Sequence, residues 1–146
     1  MEQTLMLIKP DGVRSNRIGQ VISRIEKEGF RICGMKMLRL QPETAAEFYA
    51  AHREKPFYAD LLTFMVSDRI VALVLEREEA VTRLREVIGA TDPAEAAVGT
   101  IRKKLASNKQ ENVVHASDSL SNAQVETSFF FSREELLSML KKSTMP

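Results

Sequence analysis

One segment of the chain, residues 112–119, gathers polar side chains around a histidine, His115. It follows a long polar loop and precedes a predicted helix, whose N-terminal N–H groups and dipole attract anions. Imidazole is a nucleophile near neutral pH without a strong base beside it. With Asn112, Ser117 and Asp118 around it, His115 is a candidate nucleophile that faces a phosphate. The alternative is a packed or surface histidine beside a helix cap.

Side chains suited to holding a phosphate lie in distant parts of the sequence. Lys9 closes a predicted strand, and Arg85, Thr91 and Arg102 lie on or near the long polar loop. Arginine suits this task because its planar guanidinium donates two parallel hydrogen bonds to phosphate oxygens. The alternative is that these charges lie on solvated faces, as most lysines and arginines do.

A third group of side chains, Tyr49, His52, Phe57 and Tyr58, brings several rings close together in the sequence. An exposed ring beside a phosphate site can stack against a base. Phe57 also begins an apolar helical stripe, however, and the spacing alone favours a position in the core.

Composition and charge exclude several classes of function. The chain has 21 Lys and Arg against 20 Asp and Glu, so a net charge of +1 gives no basic field for nucleic acid. Cys33 is the single cysteine, which rules out an intrachain disulfide and leaves too few ligands for structural zinc. The sequence also lacks the P-loop, the G-x-G-x-x-G turn, H-E-x-x-H and G-x-S-x-G.

The sequence shows no targeting or membrane segment. The longest aliphatic run, residues 70–75, is far shorter than the roughly 20 residues that a membrane helix needs. The N-terminus has no basic segment leading into an apolar one. Since no linker divides the chain, we expect one domain over residues 1–146, located in the cytoplasm.

The hydrophobic pattern predicts the elements that must position these side chains. Strands are predicted at residues 4–8, 30–40, 70–75 and 127–131, with the run at 70–75 buried on both faces. Residues 9–12 form a predicted turn, and residues 90–112 a long polar loop. Helices are predicted from Ile18 to Gly29, from Pro42 toward His52, from Phe57 to Met65, from Ala80 to Gly89, and after capping boxes at Ser121 and Ser132.

The order of these elements is β-α-β-β-α-β with insertions. This order is typical of a ferredoxin-like α+β domain. We therefore predict a four-stranded antiparallel sheet that is covered by helices.

Taken together, the polar segments resemble nucleoside diphosphate kinases along nearly the full chain. The segment NVVHASDS at 112–119 matches the N-x-x-H-x-S-D-S signature of that family, which is highly specific. Further matching segments are IKPDG at 8–12, FYAAH at 48–52, KPFY at 55–58, GATDP at 89–93 and GTIR at 99–102. Ala116 stands where glycine is common in the family, and Val98 replaces a usual proline.

The resemblance implies a ping-pong transfer of the γ-phosphate of ATP, or another nucleoside triphosphate, to a nucleoside diphosphate. His115 occupies the position of the phosphorylated nucleophile. Glu126 matches the carboxylate that binds the ring nitrogen that is not phosphorylated. Ser117 matches the hydroxyl that supports this carboxylate. Lys9 and Tyr49 match groups near the transferring phosphate.

The same resemblance implies how the nucleotide is held. Arg85, Thr91 and Arg102 match groups that bind the outer phosphates, and Asn112 matches a residue near the ribose. Phe57 matches the ring that stacks on the base, with Leu61 beside it. Mg²⁺ is expected to bind mainly to the nucleotide phosphates, with Asp118 as the candidate protein ligand.

The resemblance further implies a homo-oligomer, a tetramer or a hexamer, with no membrane partner. Two other hypotheses remain open from the sequence. One is a nucleotide-binding protein that has kept this fold and lost catalysis. The other is a nucleic-acid-binding protein, which the balanced charge disfavours.

Overall fold

Two central strands, β1 (Glu2–Ile8) and β3 (Ile70–Arg77), carry the sheet in the computed structural model, which describes residues 1–140. β2 (Arg31–Leu38) pairs with the outer side of β3, and β4 (Val114–Ala116) pairs with the outer side of β1. All three pairings are antiparallel. This architecture confirms the predicted α+β class with a four-stranded antiparallel sheet.

The central strands are buried on both faces because their side chains alternate between two apolar clusters. Met6 and Ile8 of β1 face one cluster, and Leu5 and Leu7 face the other. β3 alternates in the same way, and its residues 70–75 are all buried, as the continuous apolar run predicts. The sheet therefore needs helices on each side.

Eight helices lie in the described part of the chain, and they cover both faces of the sheet. The first apolar cluster takes side chains from α2 and α5, and the second takes side chains from α3 and α4. In chain order the helices are α1 (Pro10–Arg14), α2 (Ile18–Lys27), α3 (Pro42–Phe48), α4 (Tyr58–Met65), α5 (Ala80–Ile88), α6 (Ile101–Leu105), α7 (Leu120–Phe130) and α8 (Arg133–Leu140). A short 3₁₀ turn, Ala50–His52, follows α3.

The predicted strand at residues 127–131 is wrong. Most of that segment is the last turn of α7, and Phe130 and Phe131 pack into the second apolar cluster. Aromatic and β-branched residues favour strands only where a neighbouring strand is available, and here tertiary packing prevails. The fourth strand is β4, only three residues long, which no local pattern distinguishes from the loop before it.

The ends of the last two helices test the capping predictions. The cap of α7 is Ser119, whose Oγ accepts from the Asn122 N–H at 3.1 Å, so the cap predicted at Ser121 is wrong. The box at the start of α8 is confirmed. Ser132 Oγ accepts from the Glu135 N–H at 3.0 Å, and the Glu135 carboxylate accepts from the Ser132 N–H at 3.2 Å.

Two predicted irregular segments contain short helices instead. Residues 9–12 lead directly into α1, because Pro10 suits the first helical position and leaves no donor unpaired there. The long polar loop contains α6, which is capped by Thr100. No helix within residues 1–140 has both the length and the apolar character needed to cross a membrane.

The junction between α5 and α6 depends on Gly89. Its φ of 89° is a backbone conformation that glycine adopts readily and that is strained for other residues. A Cβ built on Gly89 would lie 2.5 Å from Thr100 Oγ1 and 2.7 Å from Thr100 Cβ. This close approach allows the Gly89 carbonyl to accept from Arg102 Nη1 at 3.0 Å.

Gly89→Ala is therefore expected to lower the free energy of unfolding by about 2–4 kcal/mol, because backbone strain and overpacking add. Gly19→Ala is the matched control, since nothing lies within 4 Å of a Cβ at that position in α2. In urea denaturation it should leave stability unchanged or raise it by up to about 1 kcal/mol. Equal destabilisation of the two variants would contradict this account.

Candidate active site

His115 lies in the middle of β4, opposite Leu7 of β1. Its neighbours Val114 and Ala116 are buried in the first apolar cluster, so the alternation of the strand directs the His115 ring to the other face. The side chain is 23% exposed there, accessible to a ligand while fixed by its surroundings. It is thus neither a core histidine nor a free surface histidine.

A carboxylate from α7 holds the His115 ring. Glu126 Oε1 lies 2.8 Å from His115 Nε2 and accepts from Ser117 Oγ at 2.7 Å. Burial alone would raise the pKa of Glu126, but the hydrogen bonds from His115 and Ser117 and the nearby His115 charge lower it. A carboxylate on Nε2 selects the tautomer with the proton on that nitrogen, which leaves the Nδ1 lone pair for a nucleophilic attack.

Aromatic rings from the end of α3 pack around the same imidazole. Phe48 and Tyr49 contact the His115 ring edge to face, with centroids 5.4 and 6.4 Å away. Tyr49 is 6% exposed, and burial together with the Glu126 charge raises the pKa of its hydroxyl. The phenol therefore stays protonated and is available as a hydrogen-bond donor.

The backbone just before β4 is strained at Val113. This β-branched residue has a φ of 73°, which costs about 1–3 kcal/mol. The Val114 N–H donates to the Asn112 carbonyl at 2.8 Å, closing a γ-turn centred on Val113. The Val113 N–H donates to Asp11 Oδ2 at 3.0 Å, and the Val113 carbonyl accepts from the Lys9 N–H at 2.7 Å.

Lys9 lies at the junction of β1 and α1, and only 6% of it is exposed. Its Nζ donates to the Gln110 carbonyl at 2.7 Å and to Asn112 Oδ1 at 2.8 Å. Burial lowers the pKa of Lys9 to about 8; the charge of Asp11 opposes this shift, and that of Arg102 adds to it. The predicted alternative of a solvated charge is wrong for Lys9.

Arg102 on α6 is likewise buried, with 7% exposed. Its guanidinium donates to the Gly89 carbonyl and, at 2.7 Å, to the Val114 carbonyl next to His115. Burial, and then the charge of Arg85, lowers the pKa of Arg102 to about 10. The Nε atom of Arg102 is buried and has no hydrogen-bond partner among the described residues.

Three residues that the sequence predicts for phosphate or metal binding, Arg85, Thr91 and Asp118, lie at the exposed rim of the site. Arg85 on α5 reaches the Ala116 carbonyl with Nη1 at 3.4 Å. The carbonyl of Thr91 accepts from Asn112 Nδ2 at 3.1 Å, which ties the loop after α5 to the loop before β4. The hydrogen bond from Asn122 and the nearby Arg85 charge lower the pKa of Asp118, so this exposed carboxylate is ionised.

Phe57 and Leu61 lie one helical turn apart at the start of α4, where the Leu61 N–H donates to the Phe57 carbonyl at 2.9 Å. Phe57 is 48% exposed, and Leu61 is buried in the second apolar cluster. The core position that the spacing favours is therefore wrong for Phe57. Its ring lies 5.7 Å from that of His52, which in turn lies 6.2 Å from Tyr49.

A cluster of three or more histidine, cysteine or acidic residues that could hold a metal ion does not occur within residues 1–140. Besides Glu126, which binds the His115 ring, the ionised carboxylate of Asp118 lies close enough to His115 for their charges to interact. This donor set fits Mg²⁺, which keeps several waters and is often bound by one carboxylate and substrate phosphates.

Comparison with known proteins identifies the family. The family model for nucleoside diphosphate kinase matches residues 2–136. The chain belongs to the nucleoside diphosphate kinase family. It is therefore a nucleotide-binding kinase, a phosphotransferase.

Individual nucleoside diphosphate kinases agree closely with this chain. The enzyme of Chlorobium chlorochromatii (strain CaD3) is 56% identical over 137 residues, which cover 94% of this chain and 98% of that protein. The crystal structure of the Aquifex aeolicus enzyme has a TM-score of 0.90 at 46% identity, covering 92% and 97% of the two chains. The Halobacterium salinarum enzyme in complex with CDP has a TM-score of 0.89 at 37% identity, covering 92% and 90%.

Sequence reasoning missed two residues that shape this site. Asp11 is part of the matching IKPDG segment but its sequence position indicates no role, and Val113 looks like an ordinary strand residue. The signal for Asp11 was weak, since an acidic residue after proline also suits the first turn of a helix. Only the positive φ of Val113, which a sequence does not reveal, shows why a carboxylate is needed there.

The depressed pKa of Lys9 predicts a dependence of stability on pH. Below pH about 8 the folded protein holds a buried ammonium at a cost, and this cost disappears as the pH rises toward the unfolded value of 10.5. The unfolded state binds more protons in that window, so stability should rise with pH. Relative to Lys9→Met, the wild-type free energy of unfolding should increase by about 3 kcal/mol between pH 7.5 and 10.5.

Urea denaturation at a series of pH values measures this difference, because groups that do not interact with Lys9 contribute equally to both proteins. Lys104→Met is the matched control, since Lys104 is an exposed lysine of α6. Its difference from wild type should stay flat with pH. A flat difference for Lys9→Met as well would show that Lys9 is not held as a buried cation.

Proposed function

We propose that the enzyme transfers the γ-phosphate of ATP through a phosphohistidine at His115. Nδ1 of His115 attacks the γ-phosphorus, an N–P bond forms, and the bond from phosphorus to the β,γ-bridging oxygen breaks. ADP leaves with the electrons of that bond. A nucleoside diphosphate then binds in its place, and its terminal oxygen takes the phosphoryl group from Nδ1. Two steps through a covalent intermediate give a ping-pong reaction.

The observation that carries this proposal is the pair of hydrogen bonds that links Ser117 to Glu126 and Glu126 to His115. A carboxylate on Nε2 stabilises the imidazolium character that develops as Nδ1 forms its bond to phosphorus. Ser117 donates to the same carboxylate oxygen, Oε1, and is 1% exposed, so the carboxylate is held by a rigid partner. Fixed geometry of this kind reduces the reorganisation needed during transfer.

The surrounding cations neutralise the transferring phosphate. Transfer of a phosphoryl group leaves little covalent work beyond the nucleophile, and charge stabilisation supplies most of the catalysis. Arg102 and Arg85 donate to the carbonyls of the residues on either side of His115, and Lys9 donates to Asn112. Tyr49 adds a protonated phenol. Buried cations act more strongly than exposed ones, because fewer waters screen them.

The nucleoside lies toward the rim in this proposal. Phe57 stacks on the base and Leu61 supports its ring, a contact that accepts every base because each has a π-face. Asn112, with Lys9, lies near the ribose, and Thr91 near the outer phosphates. Broad tolerance for the base follows from this mode of binding.

Mg²⁺ is proposed to bind mainly through the nucleotide phosphates, with Asp118 as its contact on the protein. When bound, the ion neutralises phosphate charge. We also propose one domain over residues 1–146 and assembly into a tetramer or hexamer. Support for assembly comes from β2, an edge strand whose Met35 and Met37 are 50% and 46% exposed.

His115→Ala should remain folded and lose transfer between ATP and a second nucleoside diphosphate by a factor of at least about 10⁴, because the covalent route is removed. Incubation with γ-labelled ATP and Mg²⁺ should place acid-labile, alkali-stable phosphate on the wild-type protein and none on this variant. His52→Ala, which removes the other histidine of the chain, should still be labelled. Retained turnover by His115→Ala would refute the mechanism.

Phe57→Ala should weaken nucleotide binding by about 1–3 kcal/mol for every base, since the stacking surface is lost. Titration with ADP, GDP and CDP measures this. Phe57→Tyr is the matched control and should keep nearly all the affinity, because it preserves the ring. A loss confined to one base would contradict stacking as the main contact.

A further inference from the structure

The carboxylate of Asp11 makes a contact that the reaction described above does not use. Asp11 lies in the first turn of α1, and its Oδ2 accepts from the N–H of Val113, 102 positions along the chain. The other carboxylate oxygen, Oδ1, is buried and has no hydrogen-bond partner among the described residues. A carboxylate with one buried oxygen left without a partner is costly, so its presence needs an explanation.

The backbone of Val113 supplies one explanation. A β-branched residue does not adopt a φ of 73° unless its surroundings hold it there. The Asp11 carboxylate takes the Val113 N–H, and the Lys9 N–H takes the Val113 carbonyl at 2.7 Å. Both partners come from the junction of β1 and α1, which clamps the turn from both sides of one residue.

Close packing makes the clamp rigid. A Cβ on Gly12 would lie 2.9 Å from Ile8 Cγ2, 3.1 Å from Val113 Cγ1 and 3.2 Å from the Val113 carbonyl oxygen. The start of α1 therefore lies directly against the turn. Asn112, on one side of Val113, accepts from the Lys9 ammonium, and His115 lies two residues after Val113.

The charge of Asp11 supplies a second explanation. The Lys9 ammonium is surrounded by the Gln110 carbonyl, the amide oxygen of Asn112, the Phe64 ring at 5.5 Å and the charge of Arg102. Against the burial and the Arg102 charge, Asp11 provides the charge that favours the protonated amine.

We propose that Asp11 is a positioning residue of the kinase reaction: it holds the Val113 turn, which joins the Lys9 partner Asn112 to His115, and it places a negative charge near the Lys9 ammonium. This inference rests on the proposed roles of His115 and Lys9. It assigns to the first turn of α1 a task in phosphoryl transfer, although Asp11 itself touches neither the nucleotide nor the nucleophile.

The first test measures the rate at which γ-labelled ATP with Mg²⁺ phosphorylates His115, by rapid quench. Asp11→Ala removes both the acceptor and the charge and should lower this rate at least tenfold, because small displacements of reacting groups are costly. Adding Val113→Gly should restore part of the loss, since glycine adopts a positive φ without a clamp. Asp68→Ala, at a partly exposed aspartate between α4 and β3, is the matched control and should react as wild type does.

The second test separates the charge from the hydrogen bond. Asp11→Asn keeps an oxygen that can accept from Val113 but loses the charge, so the pKa of Lys9 should fall below its value of about 8. The alkaline limb of kcat/KM for phosphorylation should then move to lower pH than in wild type. A purely structural role of Asp11 would lower the rate equally at every pH.

The outcomes separate this inference from the function on which it rests. If wild-type protein takes no acid-labile phosphate on His115, the proposed function fails. If wild type is labelled and Asp11→Ala is labelled at the same rate, the inference fails. If Asp11→Ala does not fold, the pH profile of Asp11→Asn decides, and an unmoved alkaline limb overturns the inference.

Discussion

The pairing of β1 with β4 is the contact on which the site depends. Only three residue pairs make it, yet they place His115 opposite Leu7 and bring the end of β1 beside the Val113 turn. Lys9 follows β1 directly, so the same pairing sets the nucleophile on β4 beside the strand that ends at this buried ammonium. Arg102 reinforces the arrangement by donating to the Val114 carbonyl of β4.

Burial of cations is the main energetic cost of this site. Lys9 and Arg102 are nearly inaccessible to water, and their pKa values fall to about 8 and about 10 as a result. This cost is offset when an anionic ligand binds, because a desolvated cation interacts more strongly with it. A net charge of +1 is compatible with such a site, since only a few charges converge on one small region.

Local patterns in the sequence predicted most of the fold correctly. The apolar run of β3 and the helical stripes of α2 and α5 are long and regular, so their type follows from side-chain periodicity alone. The prediction failed where a segment is short or where packing overrides propensity. Residues 127–131 end a helix because Phe130 and Phe131 fill the core beside α7, while β4 is too short to show a period.

The sequence by itself determined the chemistry: a histidine with a carboxylate, a lysine, arginines and an exposed ring, in a signature that points to one family. Their roles in catalysis remain predictions of that resemblance. The tertiary structure alone decided which ring nitrogen meets Glu126, how deeply Lys9 and Arg102 are buried, and that Asp11 braces Val113. These features depend on contacts between segments up to about a hundred residues apart and on backbone dihedrals, and neither is encoded in the spacing of residue types.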